Sequence, residues 1–275
     1  MIKDVIVNLG LGERDAAGEV AVSLGEMFEA HVLGLAFAYE PVIPGAMMGS
    51  VPAEFIESQR AEASEAAQAA IKRFEELARR SSISRDTRML TASLSSASDQ
   101  LGRLARRFDI VVVGQPSRES TAADEIVDEG ALFESARPVI VVPFIHKGGL
   151  KLERVMVCWD GSRAATRAIA DSLPLMKKAK QVEVVIVANG RAKSDEVPGA
   201  DLGEHLARHG LKVDVKRITS PDIDVASTIL SYAADSSSDL IVMGGYGHSR
   251  LREFILGGVT RGILESMTVP VLMSH

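Results

Sequence analysis

An internal duplication constrains the fold of this chain more than any other feature of its 275 residues. The run Asp109-Ile-Val-Val-Val-Gly114 in the first half corresponds to Asp239-Leu-Ile-Val-Met-Gly244 in the second. Each half also ends on an apolar run that is introduced by a proline, which is tolerated at the start of an edge strand. The repeat has the length of a domain and therefore indicates a domain duplication, not a solenoid.

Within each half, strand-like runs alternate with segments of helical length. This alternation is typical of βαβ units, in which helices cover both faces of a parallel sheet. Runs such as Asp109–Gly114 and Asp239–Gly244 are apolar without alternation, as expected for strands buried on both faces. The predicted strands are Ile2–Val7, Val32–Phe37, Arg85–Leu90, Ile110–Val113 and Val139–Val142, then Val155–Trp159, Val182–Val187, Val213–Ile218, Leu240–Met243 and Val269–Met273. The sequence thus predicts an α/β protein with two tandem five-stranded parallel-sheet domains, each with strand order 3-2-1-4-5 and helices on both faces.

The polar, glycine-rich segment His146–Gly149 is the predicted linker, so the domains are predicted at residues 1–145 and 151–275. The halves differ between their second and third strands. The first half carries a long amphipathic helix, predicted at Ala53–Arg80, with apolar residues at helical spacing from its first turn onward. The second half carries a polar stretch, Asn189–Gly203, which is predicted to be a surface loop.

Composition excludes several classes of function. The formal net charge of −6 argues against a protein that grips nucleic acid through its phosphates. The single cysteine, Cys158, cannot form an internal disulfide, and no Cys/His spacing resembles a zinc site. His205 and His209 are spaced to share a helix face, but without a third ligand a solvated helix surface is favoured, and no metal site is predicted.

The amino-terminal segment lacks the features of a signal peptide, and no apolar run approaches the roughly 20 residues needed to cross a bilayer. The expected location is therefore cytoplasmic, with no membrane partner.

A ligand in such a fold binds beyond the carboxyl ends of the strands, where the strand order reverses between strands one and four. In the second half, Asp160-Gly161-Ser162 follow strand one, and a glycine-rich run from Gly244 to Ser249 follows strand four. Asp160 is placed to accept hydrogen bonds from a ribose hydroxyl or a base amine. Gly257 and Gly258 open the last helix, and close backbone approach together with helix N–H groups makes an anion site suited to phosphates.

This combination resembles the universal stress protein family. ATP-binding members carry an aspartate after strand one and a Gly-x-x-Gly motif, followed after nine residues by Gly-Ser or Gly-Thr. Here Gly244-x-x-Gly247 is followed by nine residues and then Gly257-Gly258. Gly258 departs from the family pattern, because it lacks the hydroxyl that would contact phosphate and keeps only the backbone N–H.

The resemblance also implies roles for neighbouring residues. Backbone groups of Val187 and Ala188 are expected to contact the adenine, and Val259 is expected to lie by the phosphates. His248 and Ser249, inside the glycine loop, are further candidates for phosphate contact.

The first half lacks this apparatus. Asn8 occupies the position of the aspartate, and Gln115 and Pro116 follow Gly114 with no second glycine. The acidic stretch Asp124–Glu129 would repel incoming phosphates. The first half is therefore predicted to be a degenerate domain with a structural or regulatory role.

The sequence is interpreted as a cytoplasmic, stress-response regulatory protein that binds ATP in its C-terminal domain, with Mg²⁺ as a companion ion whose protein ligands are not assigned. No Walker, dinucleotide-binding or nucleophile-elbow motif is present, and no catalytic residue is predicted. Two alternatives stay open. One is a slow ATPase, which predicts ADP in the purified protein, and the other is an interaction protein whose glycine loop no longer binds nucleotide.

Assembly follows from the last strands. Val139–Val142 and Val269–Met273 are apolar strands that would otherwise expose unpaired sheet edges. Members of the family commonly dimerise through these strands, so the resemblance implies an internal pseudo-dimer with the two strands adjacent. A further homodimer is compatible with the sequence.

Overall fold

The computed structural model describes residues 1–12, 14–42, 51–115, 127, 130–188, 199–219, 224–245 and 258–275. The chain divides into two compact units. One comprises residues 1–137 with 147–149, and the other comprises residues 138–146 with 150–275. Both units have the predicted α/β class.

The first unit is built on parallel strands in the order β3-β2-β1-β4. Its strands are β1 (Asp4–Asn8), β2 (His31–Tyr39), β3 (Arg85–Ala92) and β4 (Ile110–Gly114). Its helices are α1 (Ala16–Phe28), α2 (Ala53–Arg79) and α3 (Leu94–Ala105). These strands follow the predicted order 3-2-1-4.

The second unit repeats this arrangement. Its strands are β5 (Val139–Val142), β6 (Arg154–Cys158), β7 (Gln181–Ala188), β8 (Val213–Thr219), β9 (Leu240–Gly244) and β10 (Val271–Ser274). Its helices are α4 (Arg163–Met176), α5 (Ala200–Arg208), α6 (Val225–Asp235) and α7 (Gly258–Ser266). The strand order is β5-β10-β9-β6-β7-β8, so the predicted order 3-2-1-4-5 is confirmed for β6 to β10.

Strands β5 and β10 lie beside each other, as expected for the two last strands of the repeat. Their pairing is antiparallel, with Val139 opposite Met273 and Val141 opposite Val271. This pairing removes the open edge that either strand would otherwise present. It also explains why β5 groups with the second unit, whereas the sequence places it at the end of the first half.

The aspartate that begins the repeated motif has the same structural task in both units. Asp109 Oδ2 accepts hydrogen bonds from the backbone N–H groups of Lys3, at 2.6 Å, and Asp4, at 3.1 Å. Asp239 Oδ2 accepts one from the N–H of Arg154 at 2.8 Å. Each aspartate thus ties the start of the fourth strand to the start of the first, and satisfies N–H groups at the strand end.

The amphipathic face predicted for the long helix is only partly buried. Its buried residues are Ala67, Ala70, Phe74 and Ala78, whereas Phe55 in the first turn is 58% exposed. A helix of 27 residues is about 40 Å long, and the nine-residue strand β2 beneath it spans about 30 Å, so the sheet cannot cover the whole helix. Neither α2 nor any other described helix is both long enough and apolar enough to cross a membrane.

The surface loop predicted over Asn189–Gly203 is wrong at its C-terminal end, because α5 begins at Ala200. Gly199 precedes the helix with a φ of 87°, a conformation that glycine adopts without steric cost. Leu202 and Leu206 are buried and anchor the helix to the unit. The remainder of the predicted loop, residues 189–198, lies outside the described residues.

Candidate functional site

The candidate site lies at the carboxyl ends of β6, β7 and β9. Strand β6 pairs with β7 on one side and with β9 on the other, and β9 is followed along the sheet by β10. The strand order therefore reverses between β6 and β9, which is where open parallel sheets bind ligands. Asp160 follows β6, Val187 and Ala188 end β7, and Gly244 ends β9.

Asp160, Gly161 and Ser162 form a compact turn between β6 and α4. Asp160 Oδ1 accepts a hydrogen bond from Ser162 N–H at 2.9 Å, and Gly161 has a φ of 76°, which favours glycine. Ser162 is the N-cap of α4, and its Oγ accepts a hydrogen bond from Ala165 N–H at 3.1 Å. The turn is therefore fixed at both ends by its own side chains.

The Asp160 side chain is exposed at this edge. Within the described residues, Ser162 is the hydrogen-bond donor to its carboxylate, which leaves Oδ2 open to solvent or to a ligand. Aspartate commonly stabilises a turn of this kind, and the contact with Ser162 shows that Asp160 does so here. The ligand contact stays a prediction, for which the second carboxylate oxygen has no partner among the described residues.

Val187 presents backbone groups beside the Asp160 turn that have no hydrogen-bond partner among the described residues. The ladder between β6 and β7 ends at Cys158 and Val185, and Trp159 N–H donates to Val185 O at 2.9 Å. In a parallel pair the N–H and C=O of one residue point to the same side, and alternate residues share a side. The N–H and C=O of Val187 therefore point past the end of β6, into the crevice.

Gly244 has a packing role that the sequence did not reveal. A Cβ at this position would lie 2.5 Å from Ala165 N and 2.7 Å from Ala164 C, both in the first turn of α4. Glycine thus allows the amino end of α4 to approach β9 directly. Its contribution to the site is to position α4 and the Asp160 turn.

We expect Gly244→Ala to lower the free energy of unfolding by about 1–3 kcal/mol, since the added methyl group must displace helix backbone. Urea unfolding monitored by circular dichroism measures this. Gly258→Ala is the matched control, because a Cβ at Gly258 meets nothing within 4 Å. Equal midpoints for both variants and the parent protein would contradict the packing role.

The other predicted site residues divide into two groups. Helix α7 begins at Gly258, which is exposed, and Val259 next to it is partly buried. Gly247, His248, Ser249 and Gly257, which the sequence places along the phosphates, lie outside the described residues.

The equivalent edge of the first unit is arranged differently. The prediction that Asn8 takes the place of the aspartate is wrong. Leu9 N–H donates to Leu35 O as Trp159 N–H donates to Val185 O, so Gly10 corresponds to Asp160. Asn8, which ends β1 and is 9% exposed, corresponds to Cys158. Arg73 of α2 donates from Nη2 to the carbonyl of Gly10 at 3.2 Å, which holds the following loop against the helix. Pro116 and the acidic stretch Asp124–Glu129 lie outside the described residues, apart from Val127.

Asp15 closes this loop as the N-cap of α1, where its Oδ1 accepts a hydrogen bond from Gly18 N–H at 2.9 Å. Burial raises the pKa of Asp15 to about 6, although hydrogen bonds from Gly18 and Gly10 and the charge of Arg73 act in the opposite direction. Because the pKa is raised, the folded protein holds this proton more tightly than the unfolded chain. The stability that the group contributes is therefore lost as the pH rises from about 4 to about 6.

We expect Asp15→Asn to stabilise the protein at pH 7.5 by up to about 3 kcal/mol, since asparagine keeps the N-cap acceptor and carries no buried charge. The advantage should shrink as the pH falls and vanish near pH 4. Urea midpoints at pH 4.5 and 7.5 measure it. A variant less stable than the parent at pH 7.5 would show that attraction to Arg73 outweighs the cost of burial.

Asp224, the exposed N-cap of α6, serves as a control because its pKa is shifted in the opposite direction to that of Asp15. Hydrogen bonds from the Ser227 side chain, and then from the N–H groups of Ala226 and Ser227, lower the pKa of Asp224. Its stabilising contribution is present at neutral pH and is lost as the pH falls through the lowered pKa. Asp224→Asn should therefore destabilise the protein at pH 7.5, and the difference should narrow in acid.

Comparison with known proteins agrees with this fold. The model of the universal stress protein family matches residues 151–275. A universal stress protein from Synechocystis sp. is 29% identical over 182 residues, which are 63% of this chain, and the chain spans 60% of the length of that relative.

Solved structures extend the likeness over both units. A universal stress protein from Archaeoglobus fulgidus DSM 4304 aligns over 98% of this chain and 97% of its own, with a TM-score of 0.72 and 18% identity. A structure described as a putative universal stress protein from Pseudomonas aeruginosa UCBPP-PA14 aligns over 98% and 92%, with a TM-score of 0.62 and 13% identity. At such identities the likeness shows the fold alone. Residues 151–275 thus match the model of the universal stress protein family, and both units share the fold of the solved universal stress proteins.

Proposed function

We propose that the second unit binds an adenine nucleotide, ATP, and that the chain is a regulatory protein of the stress response. Membership of residues 151–275 in the universal stress protein family supports the stress-response role. Nucleotide binding is supported by the exposed Asp160 carboxylate and by the end of β7 at the same sheet edge, where the backbone of Val187 has no partner among the described residues. A carboxylate can accept hydrogen bonds from the hydroxyl and amine groups of a nucleoside, and a strand N–H group can donate one to a ring nitrogen.

The residues present fit a nucleotide at this edge. Asp160 would accept hydrogen bonds from the ribose or the base amine, and Val187 would offer its N–H and C=O to the base. Gly258 and Val259 begin a helix, whose first N–H groups favour an anion such as phosphate. Val259 would lie beside the phosphates, and a Mg²⁺ ion accompanying them would be held mainly by the nucleotide and water.

A binding role without turnover fits the described side chains better than catalysis does. Cys158 lies two residues before Asp160, and burial, with a smaller effect of the Asp160 charge, raises its pKa to about 12. Such a thiol stays protonated at neutral pH and is not a nucleophile. The slow-ATPase alternative is retained as an outcome of the experiment below.

The single tryptophan provides the experiment. Trp159 is the only tryptophan of the chain, is partly buried and directly precedes Asp160, so its fluorescence reports events at this edge. We expect ATP to change the Trp159 emission saturably and GTP to do so much less. Mass spectrometry of the ligand released on denaturation should find ATP. Released ADP would favour the slow ATPase. The absence of both a fluorescence change and a released nucleotide would contradict the proposal.

A further inference from the structure

Two histidines form a pair on the exposed face of α5. His205 lies in the last turn of the helix and His209 is its C-cap, and both side chains are exposed. Leu202 and Leu206 are buried on the neighbouring face and fix the orientation of the helix. The His209 N–H donates to Leu206 O at 3.0 Å, which keeps the last turn closed. The imidazoles are therefore held next to each other by helix geometry.

The separation of the two rings matches that of two ligands on one metal ion. Their centroids are 4.8 Å apart, and the ring planes are inclined by 68°. A metal–nitrogen bond of about 2.1 Å plus about 1.1 Å from nitrogen to ring centre places each centroid about 3.2 Å from the ion. For ligand–metal–ligand angles of about 90–110°, the centroids would then be about 4.5–5.2 Å apart. The observed spacing falls inside this interval.

We propose that His205 and His209 form a two-ligand site for a divalent transition-metal ion such as Zn²⁺, Ni²⁺ or Cu²⁺. Two histidines at positions i and i+4 of a helix are an established arrangement for holding such an ion, since neutral imidazole suits these metals. Within the described residues no group of three or more candidate ligands is present, so the proposed site consists of these two histidines, with water at the other coordination positions.

The electrostatic surroundings of the pair also favour a cation. The carboxyl end of α5 carries the partial negative charge of its last carbonyl groups, which stabilises positive charge there. Arg208 lies between the histidines in sequence, but its Nη2 is paired with Glu204 Oε2 at 3.2 Å, which offsets its charge. This inference does not depend on nucleotide binding, because it involves none of the residues of the candidate nucleotide site.

Isothermal titration of the full-length protein with ZnCl₂ and with NiCl₂ tests the site. We expect one equivalent to bind, and His205→Ala or His209→Ala to weaken binding by at least about 10–100-fold. His31→Gln, in the first unit, is the control and should bind like the parent protein. Binding should also weaken on acidification, because protons compete with the metal for imidazole.

Two outcomes would overturn the proposal. One is the absence of saturable binding at millimolar metal. The other is binding that neither histidine substitution changes, which would place the ion on other residues. The metal titration contains no nucleotide, which would itself bind these ions, so a failure of either proposal can be recognised without the other.

Discussion

Replacing Asp160 by alanine should weaken ATP binding by about 1–3 kcal/mol, the scale of a lost hydrogen bond to a charged group. The exposed carboxylate has one oxygen engaged with Ser162 and one available, so alanine removes both the turn contact and the ligand contact. Calorimetric titration with ATP, with Trp159 emission as a second readout, measures the loss. The fold should survive, because Asp160 is exposed.

Asp160→Asn separates the two roles of this residue. Asparagine keeps an oxygen that can accept from Ser162 N–H, and therefore keeps the turn, but it removes the charge. If the carboxylate contacts the nucleotide, both variants should bind more weakly than the parent. Parental affinity in the asparagine variant and weak binding in the alanine variant would assign Asp160 to the turn alone. Parental affinity in both would remove the residue from the site.

The strands and their order were predictable because burial on both faces of a parallel sheet leaves a direct mark on the sequence. Runs such as Ile110–Val113 and Leu240–Met243 are apolar without alternation, and they form β4 and β9 almost to the residue. The reversal point of the sheet then follows from topology alone, which is why Asp160 could be assigned to the site edge.

Features that depend on the length or the close approach of a neighbouring helix or strand were not predictable from the sequence. The apolar spacing of α2 continues to Phe55, but burial stops at Ala67 because the strands beneath the helix are shorter than the helix. The need for glycine at Gly244 comes from the first turn of α4, about 80 residues earlier in the chain, and no local pattern records that contact. The packing role of Gly244 was therefore not predictable from sequence spacing, and its predicted contact with a ligand stays a prediction.

The first-unit position that corresponds to Asp160 is a further result that the sequence pattern did not give. The strand registers place Gly10 there, so the first unit has no acidic side chain at this point of its sheet edge. Seven residues separate β1 from α1, whereas four separate β6 from α4. The longer loop is held by Arg73, whose side chain donates a hydrogen bond to the carbonyl of Gly10.

We therefore expect each chain to bind one adenine nucleotide, in residues 151–275. The second unit has an exposed acid, the start of α7 and strand backbone groups that have no partner among the described residues. The first unit has Gly10 at the position of the acid and a loop held by an arginine. Titration of the full chain with a non-hydrolysable ATP analogue measures the stoichiometry. Asp160→Ala should reduce the occupancy of the single site, and two equivalents that persist in this variant would show that the first unit also binds.

Zero equivalents would instead favour the interaction protein, and Gly258 would then be the first residue to change. The family pattern has serine or threonine at this position, and glycine leaves the phosphates without a hydroxyl donor. A side chain at Gly258 meets nothing within 4 Å, so Gly258→Ser adds the hydroxyl without steric cost. Serine is also tolerated at the start of a helix. Binding restored by this substitution would show that the rest of the site is intact, whereas no gain would show that the loss lies elsewhere in the glycine loop.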